Sequence, residues 1–297
     1  MNVDMFRSGI VAIVGRTNVG KSTLMNHLIG MKIAITSKKT QTTRRRLQTV
    51  YTNDRGQIVF LDTPGVHLAR NKLSEYMDRV AYKSVSDVDT VLFVAEPVNY
   101  IGRGEQQMIE RIREARKPVV LAVNKCDTAE EAAVEQAIGL YSGALDAREA
   151  VAVSALKGIN IDKLTDTLIS LLPEGPMLYD EDTVTDETER SIAAEIVREK
   201  TLRNLRDEIP HGIAVSVMSF KERPDGIIDI EADIICEKDS HKGIIIGRGG
   251  SMLKKIGTES RLDIEELLQA RVNLKLFVKV RRDWRQNPMI LKDLGYT

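Results

Sequence analysis

Gly15-Arg16-Thr17-Asn18-Val19-Gly20-Lys21-Ser22-Thr23 fits the spacing G-x-x-x-x-G-K-[ST], with Ile10-Val11-Ala12-Ile13-Val14 before it and Leu24-Met25-Asn26-His27-Leu28-Ile29 after it. The flanks read as a strand and a helix. In that setting glycines let backbone N–H groups converge on oxygens, and the helix N-terminus behind them favours an anion. Lys21 then reaches the β- and γ-phosphates of a nucleotide, and the Ser22 hydroxyl binds Mg²⁺. The alternative is a glycine-rich turn without a ligand, and the strand and helix on either side count against it.

Three further segments decide which nucleotide. Asp62-Thr63-Pro64-Gly65 follows the apolar run Ile58-Val59-Phe60-Leu61, placing a carboxylate near the magnesium and the Gly65 N–H near the γ-phosphate. Asn124-Lys125-Cys126-Asp127 closes the run from Pro118 to Val123. Asp127 there can accept from the N1–H and exocyclic amine that guanine presents and adenine lacks. Ser154-Ala155-Leu156-Lys157 ends the run Ala150-Val151-Ala152-Val153 and brings a backbone N–H within reach of guanine O6. Each match is weak alone. In this order, each at the end of an expected strand, they resemble a GTPase domain.

Two features bear on hydrolysis. Thr36 to Arg46 is polar and without strand or helix periodicity, which suits a switch whose threonine closes on Mg²⁺ and the γ-phosphate. Thr42 and Thr43 are both placed for this, and the sequence does not choose between them. Arg44, Arg45 and Arg46 read equally as a charged strand edge. After Gly65 comes Val66, where many GTPases carry a glutamine that orients the attacking water. Valine cannot do so, which leaves backbone, a partner's residue or a bound cation to position the water. His67 reads as structural rather than as a base.

The 297 residues are 42% hydrophobic and carry 43 basic against 43 acidic side chains, so two domains with full cores fit the length. Cys126 and Cys236 show no paired framework or metal spacing, as expected in a reducing cytoplasm. No apolar run approaches the ~20 residues of a spanning helix. Residues 1–172 alternate apolar strands with amphipathic helices, which predicts a doubly wound, mostly parallel α/β sheet with helices on both faces. Residues 173–190 read as an acidic linker, opened by Pro173-Glu174-Gly175-Pro176. From 191 to 297 the pattern is helix, strand, strand, helix, helix, strand and a tail. Ile192, Ile196, Leu202 and Leu205 form one helical face.

Within this second part, residues 238–297 hold 13 basic and 7 acidic side chains, the footprint of a polyanion-binding face or of a solvated basic surface. Gly247-Arg248-Gly249-Gly250 is a tight turn without bulky side chains, so a nucleic-acid backbone can approach its N–H groups. Lys242, Arg248, Lys254 and Lys255 surround it with positive charge, and at least one of Ile244, Ile245 and Ile246 must be core. Trp284, among arginines, either stacks a base or caps the last strand, and the cap is the reading favoured. This α+β pattern resembles a KH domain of the prokaryotic topology.

A GTPase domain followed by a KH domain resembles the Era family of bacterial GTPases over nearly the whole chain. The resemblance implies a cytoplasmic factor that binds the 3′ region of small-subunit ribosomal RNA and assists assembly of the small ribosomal subunit, its GTP state controlling RNA engagement. Slow hydrolysis with a hydrophobic residue at the Val66 position goes with it, as does peripheral association with the inner membrane. In related GTPases an asparagine equivalent to Asn18 contacts K⁺. GTP or GDP and Mg²⁺ are the expected cofactors, no DNA partner is expected, and a monomer is favoured. The implied nucleotide set is Gly15 to Thr23, Asp62 to Gly65, Asn124, Lys125, Asp127, Ser154, Ala155 and Leu156. Lys21, Thr42, Thr43, Asp62, Gly65 and Val66 serve hydrolysis, and Ser22, Thr43 and Asp62 hold the metal. The rival is an RNA-binding module that keeps GTP as a structural ligand with negligible hydrolysis. A membrane-remodelling GTPase would need an apolar or amphipathic insertion segment.

Overall fold

Apolar runs too continuous to leave one face wet become the strands of a sheet covered on both sides. The computed structural model describes residues 6–36, 43–44, 46–64, 71–206 and 209–296. Up to Leu171 its elements are β1 (Arg7–Val14), α1 (Lys21–Ile29), β2 (Leu47–Asn53), β3 (Gly56–Asp62), α2 (Lys72–Ser86), β4 (Thr90–Ala95), α3 (Arg103–Ala115), β5 (Val119–Val123), α4 (Glu131–Leu145), β6 (Glu149–Ala152) and α5 (Ile161–Leu171). The sheet runs β2-β3-β1-β4-β5-β6. β1 pairs in parallel with β3 and β4, β4 with β5, and β5 with β6, while β2 lies antiparallel on β3 at the edge.

Alternate residues of each strand face opposite layers. Val59, Leu61, Phe93 and Leu121 pack against Met108 and Ile112 of α3 and Ala137 and Tyr141 of α4. Val11, Ile13, Phe60 and Leu92 pack against Leu24, Met25 and Leu28 of α1 and Leu164 and Leu168 of α5. Each large side chain so buried is worth about 1.5–3 kcal/mol. This sandwich fixes the strand ends, so the loops after β1, β3, β4, β5 and β6 emerge at one edge, where such sheets bind ligands.

The chain divides into two units, one built on residues 6–34, 43–44, 46–64 and 77–186, the other on 35–36, 71–76, 187–206 and 209–296. The segment read as an acidic linker is therefore mostly part of the first unit. It runs as a strap along the sheet edge. Ser8 N–H donates to Pro173 O and the Ser8 hydroxyl to Pro176 O. Gln57, fully buried on β3, accepts from Leu178 N–H (2.7 Å) and Tyr179 N–H (2.9 Å) and donates to Tyr179 O (2.9 Å). Val50 N–H donates to Val184 O, and the Thr185 hydroxyl to Gln48 O. The free side of β2 is thereby covered, as an exposed strand edge requires.

The second unit is organised by α6 (Glu189–Asn204), whose cap Thr188 accepts from Ser191 N–H. There follow β7 (Ala214–Glu222), β8 (Ile228–Cys236), α7 (Asp239–Ile246), α8 (Ser251–Leu268), β9 (Val272–Val280) and α9 (Pro288–Asp293). The sheet order is β7-β8-β9, with β7 antiparallel and β9 parallel to β8. The helical face Ile192, Ile196, Leu202 and Leu205 is buried as the periodicity predicts. Burial of Arg198, Glu199 and Lys200 on the same helix is not foreseen by that pattern. Paired charges make it tolerable: Arg198 donates to Glu195, Glu199 pairs with Arg203, and Lys200 reaches Asp263 of α8 at 2.5 Å.

Candidate functional site

Gly15 and Gly20 both have positive φ, +149° and +100°, and a β-carbon would drive Gly15 into Val94 O and Gly20 into the Asn124 amide. Only glycine lets this loop lie so close to the ends of β4 and β5. The neighbouring loops are bonded to it. Asn124 donates to Val19 O (2.7 Å) and accepts from Ala155 N–H (2.9 Å), so one amide joins three of the motif loops. Lys125 Nζ donates to Asn18 O (2.9 Å), and the Thr63 hydroxyl to Ile13 O (2.9 Å). Ser154 accepts from Lys157 N–H, which shapes the loop that leaves Leu156 three-quarters exposed. Asp127 lies exposed on a short 3-10 turn, Cys126–Thr128, after β5.

Lys21, buried, donates to Gly15 O (2.9 Å) and Arg16 O (2.8 Å). Burial lowers its pKa to about 8, against the pull of Asp62. Asp62 is wholly buried, and desolvation raises its carboxyl to about 6 despite Lys21 and the hydroxyls of Thr43 and Ser22.

Ser22 Oγ and Thr43 Oγ1 stand 3.0 Å apart, and each lies 3.2 Å from Asp62 Oδ2. Asp62 Oδ1 is buried with no hydrogen-bond partner among the described residues. One carboxylate, two hydroxyls and an orphaned oxygen suit a hard cation that takes few protein ligands and keeps waters and phosphate oxygens, the habit of Mg²⁺. Among the described residues no group of three or more His, Cys, Asp or Glu side chains offers a rival metal site. Of the described residues in the polar segment from 36 to 46, Thr43 is the one whose hydroxyl reaches Asp62. Thr42, Gly65, Val66 and His67 lie outside the described residues.

Sequence reading missed Glu96, immediately after β4, which accepts from both Arg16 and Lys125. Its place at a central strand's carboxyl end was the available signal.

In the second unit, α7 ends at Ile246 and α8 starts at Ser251, with Gly247, Arg248, Gly249 and Gly250 forming the turn. Gly247, Gly249 and Gly250 all have positive φ, from +58° to +79°. A β-carbon at Gly247 would sit 2.7 Å from Met252 Cβ, whereas Gly249 faces open space. Close packing therefore demands glycine at 247, and backbone conformation alone favours it at 249. Lys242, Arg248, Lys254 and Lys255 are exposed around the turn. Of the three isoleucines, Ile245 is core and Ile244 is half exposed. Trp284 is wholly buried, donates to Gly212 O (2.9 Å) and stacks on Tyr296, so it caps the fold and presents no face to a base.

Fold and site together define a P-loop GTPase that carries a KH domain. The family model for 50S ribosome-binding GTPases matches residues 10–125 and that for KH domains residues 208–285. GTPase Era of Clostridium botulinum (strain Alaska E43 / Type E3) is 51% identical over 98% of this chain and 99% of its own, and that of Clostridium perfringens (strain 13 / Type A) is 49% identical over the same shares. The chain belongs to the GTPase Era family. Two solved structures superpose with TM-scores of 0.94 at 37% identity, covering 98% of this chain and 99% of theirs: an Aquifex aeolicus Era variant bound to GDP·AlF4⁻, and Era in complex with MgGDPNP and nucleotides 1506–1542 of 16S ribosomal RNA. Among the described residues no helix is long and apolar enough to cross a membrane.

Proposed function

We propose that the chain is a GTP-hydrolysing switch that binds small-subunit ribosomal RNA near its 3′ end through the KH turn and assists assembly of the small ribosomal subunit. The observation that carries this is the presence in one chain of a guanine-type P-loop site and a glycine turn ringed by exposed cations. Lys21 and the N–H groups of Gly15 to Thr23 hold the phosphates, while Asp127 and the Ser154 to Leu156 loop hold the base. Ser22, Thr43 and Asp62 hold Mg²⁺, which neutralises charge on the β- and γ-phosphate oxygens when bound. Convergence of those three side chains favours hydrolysis over the rival in which GTP is only a structural ligand. We assign the protein to the cytoplasm, with peripheral association at the inner face of the membrane tested by vesicle flotation.

The RNA half is tested with Arg248→Asp together with Gly249→Asp. Two carboxylates then stand where phosphates approach; a side chain at 249 meets open space but a left-handed backbone, so circular dichroism checks that the domain still folds. Affinity for a 16S 3′-end RNA should fall by more than ~10-fold with a flatter salt dependence, since fewer phosphates are neutralised. GTP affinity should stay within twofold. Unchanged RNA affinity in the folded variant would show that the loop is only a turn.

A further inference from the structure

We propose that Glu96 is a positioning residue that ties the phosphate-binding loop to the base-binding loop, so that one nucleotide meets both at their working separation. The inference rests on the nucleotide site assigned above.

Glu96 follows β4, between the strands that carry the two loops. Its backbone is fixed there: the neighbouring Ala95 O accepts from Asn124 N–H (2.8 Å), and Glu96 O accepts from Val98 N–H (2.8 Å). The side chain is one-fifth exposed, and its two oxygens serve two different cations. Oε2 accepts from Arg16 Nη2 at 2.7 Å, and Oε1 accepts from Lys125 Nζ. The same ammonium also donates to Asn18 O. One carboxylate therefore reaches the phosphate loop directly through Arg16 and indirectly through Lys125 and Asn18.

The backbone at both ends of that chain needs such support. Asn18 and Lys125 have φ of +66° and +65°, the left-handed region that costs a residue with a β-carbon stability unless its surroundings over-determine it. Lys125 holds one strained residue and is itself another, and Glu96 is the anion that holds Lys125. Charge supports the same role. Arg16 and Lys125 would repel one another and compete for phosphate, and Glu96 occupies both. Tyr100 adds a long contact to Arg16 at 3.4 Å, too weak to replace the carboxylate.

The test is Glu96→Gln, which keeps shape and removes charge, measured in the full chain with fluorescent GDP and GTP. Dissociation of both nucleotides should quicken by about 5–10-fold and by the same factor, the size expected for losing charge-assisted hydrogen bonds. Single-turnover hydrolysis at saturating GTP should stay within twofold, because no reacting atom is touched. In an Arg16→Met, Lys125→Met background, Glu96→Gln should change dissociation by less than twofold, since its partners are gone. If Glu96→Gln does not fold, Glu96→Asp keeps the charge on a shorter arm and should still quicken release. Dissociation within twofold of the parent, or an undiminished effect in the double-methionine background, would overturn the proposal. Absence of guanine-nucleotide binding by the parent chain would overturn the site reading beneath it instead.

Discussion

Asp127 and Thr43 carry the sharpest expectations for single side chains. Asp127 sits at the middle of a turn after β5 and is exposed, free to meet a base edge. Asp127→Asn should weaken GTP by about tenfold to a hundredfold, the worth of hydrogen bonds to a charged group, and favour xanthosine triphosphate, whose extra carbonyl the amide can donate to. Equal affinities for the two nucleotides before and after substitution would misplace the base site. Thr43 lies 3.2 Å from Asp62, so Thr43→Ala should lower the single-turnover rate by about tenfold or more while GDP, which has no γ-phosphate to close on, binds nearly as before. Thr42→Ala is the matched control, and a larger loss there would reverse the assignment. That Lys21, Ser22 and Asp62 meet at one place was legible because their chemistry is written in short local strings. Glu96 was not, since a glutamate after a strand acquires meaning only when folding sets Arg16 and Lys125 on either side of it.

Elements were legible where their period was clean. The strands and helices of the nucleotide-binding sheet follow the apolar runs because burial on both faces leaves no other pattern. The strap was less legible, because acidic, proline-bearing sequence reads as solvated chain unless one knows that Gln57 presents two acceptor sites and a donor to its backbone. Gln57→Ala leaves Leu178 and Tyr179 N–H without their partner and should cost about 1–3 kcal/mol. Cleavage between residues 177 and 185 in limited proteolysis should quicken accordingly. Unchanged cleavage would mean that the contacts at Val50 and Gln48 suffice to hold the strap. α6 shows the same limit from the core side: Arg198 and Lys200 look solvent-facing in sequence, and only packing against Glu195 and Asp263 explains their burial.

At the scale of the whole molecule, the chain joins a nucleotide machine to an RNA-binding fold, and where the first ends matters for any attempt to separate them. A fragment ending at Leu172 keeps every strand of the six-stranded sheet yet loses the strap, whereas one ending at Asp186 keeps its bonds to Ser8, Gln57, Val50 and Gln48. The shorter fragment should melt lower, by about 2–4 °C for each kcal/mol forfeited in a domain of this size, and calorimetry of the pair measures it. Equal melting temperatures would show the strap to be an ornament. Thr185 is bonded to the sheet edge and α6 begins at Glu189, so Asp186, Glu187 and Thr188 span the join. A protease searching for the seam of this protein meets a join far shorter than the eighteen residues that composition reads as linker, and Thr188 within it is engaged as a helix cap.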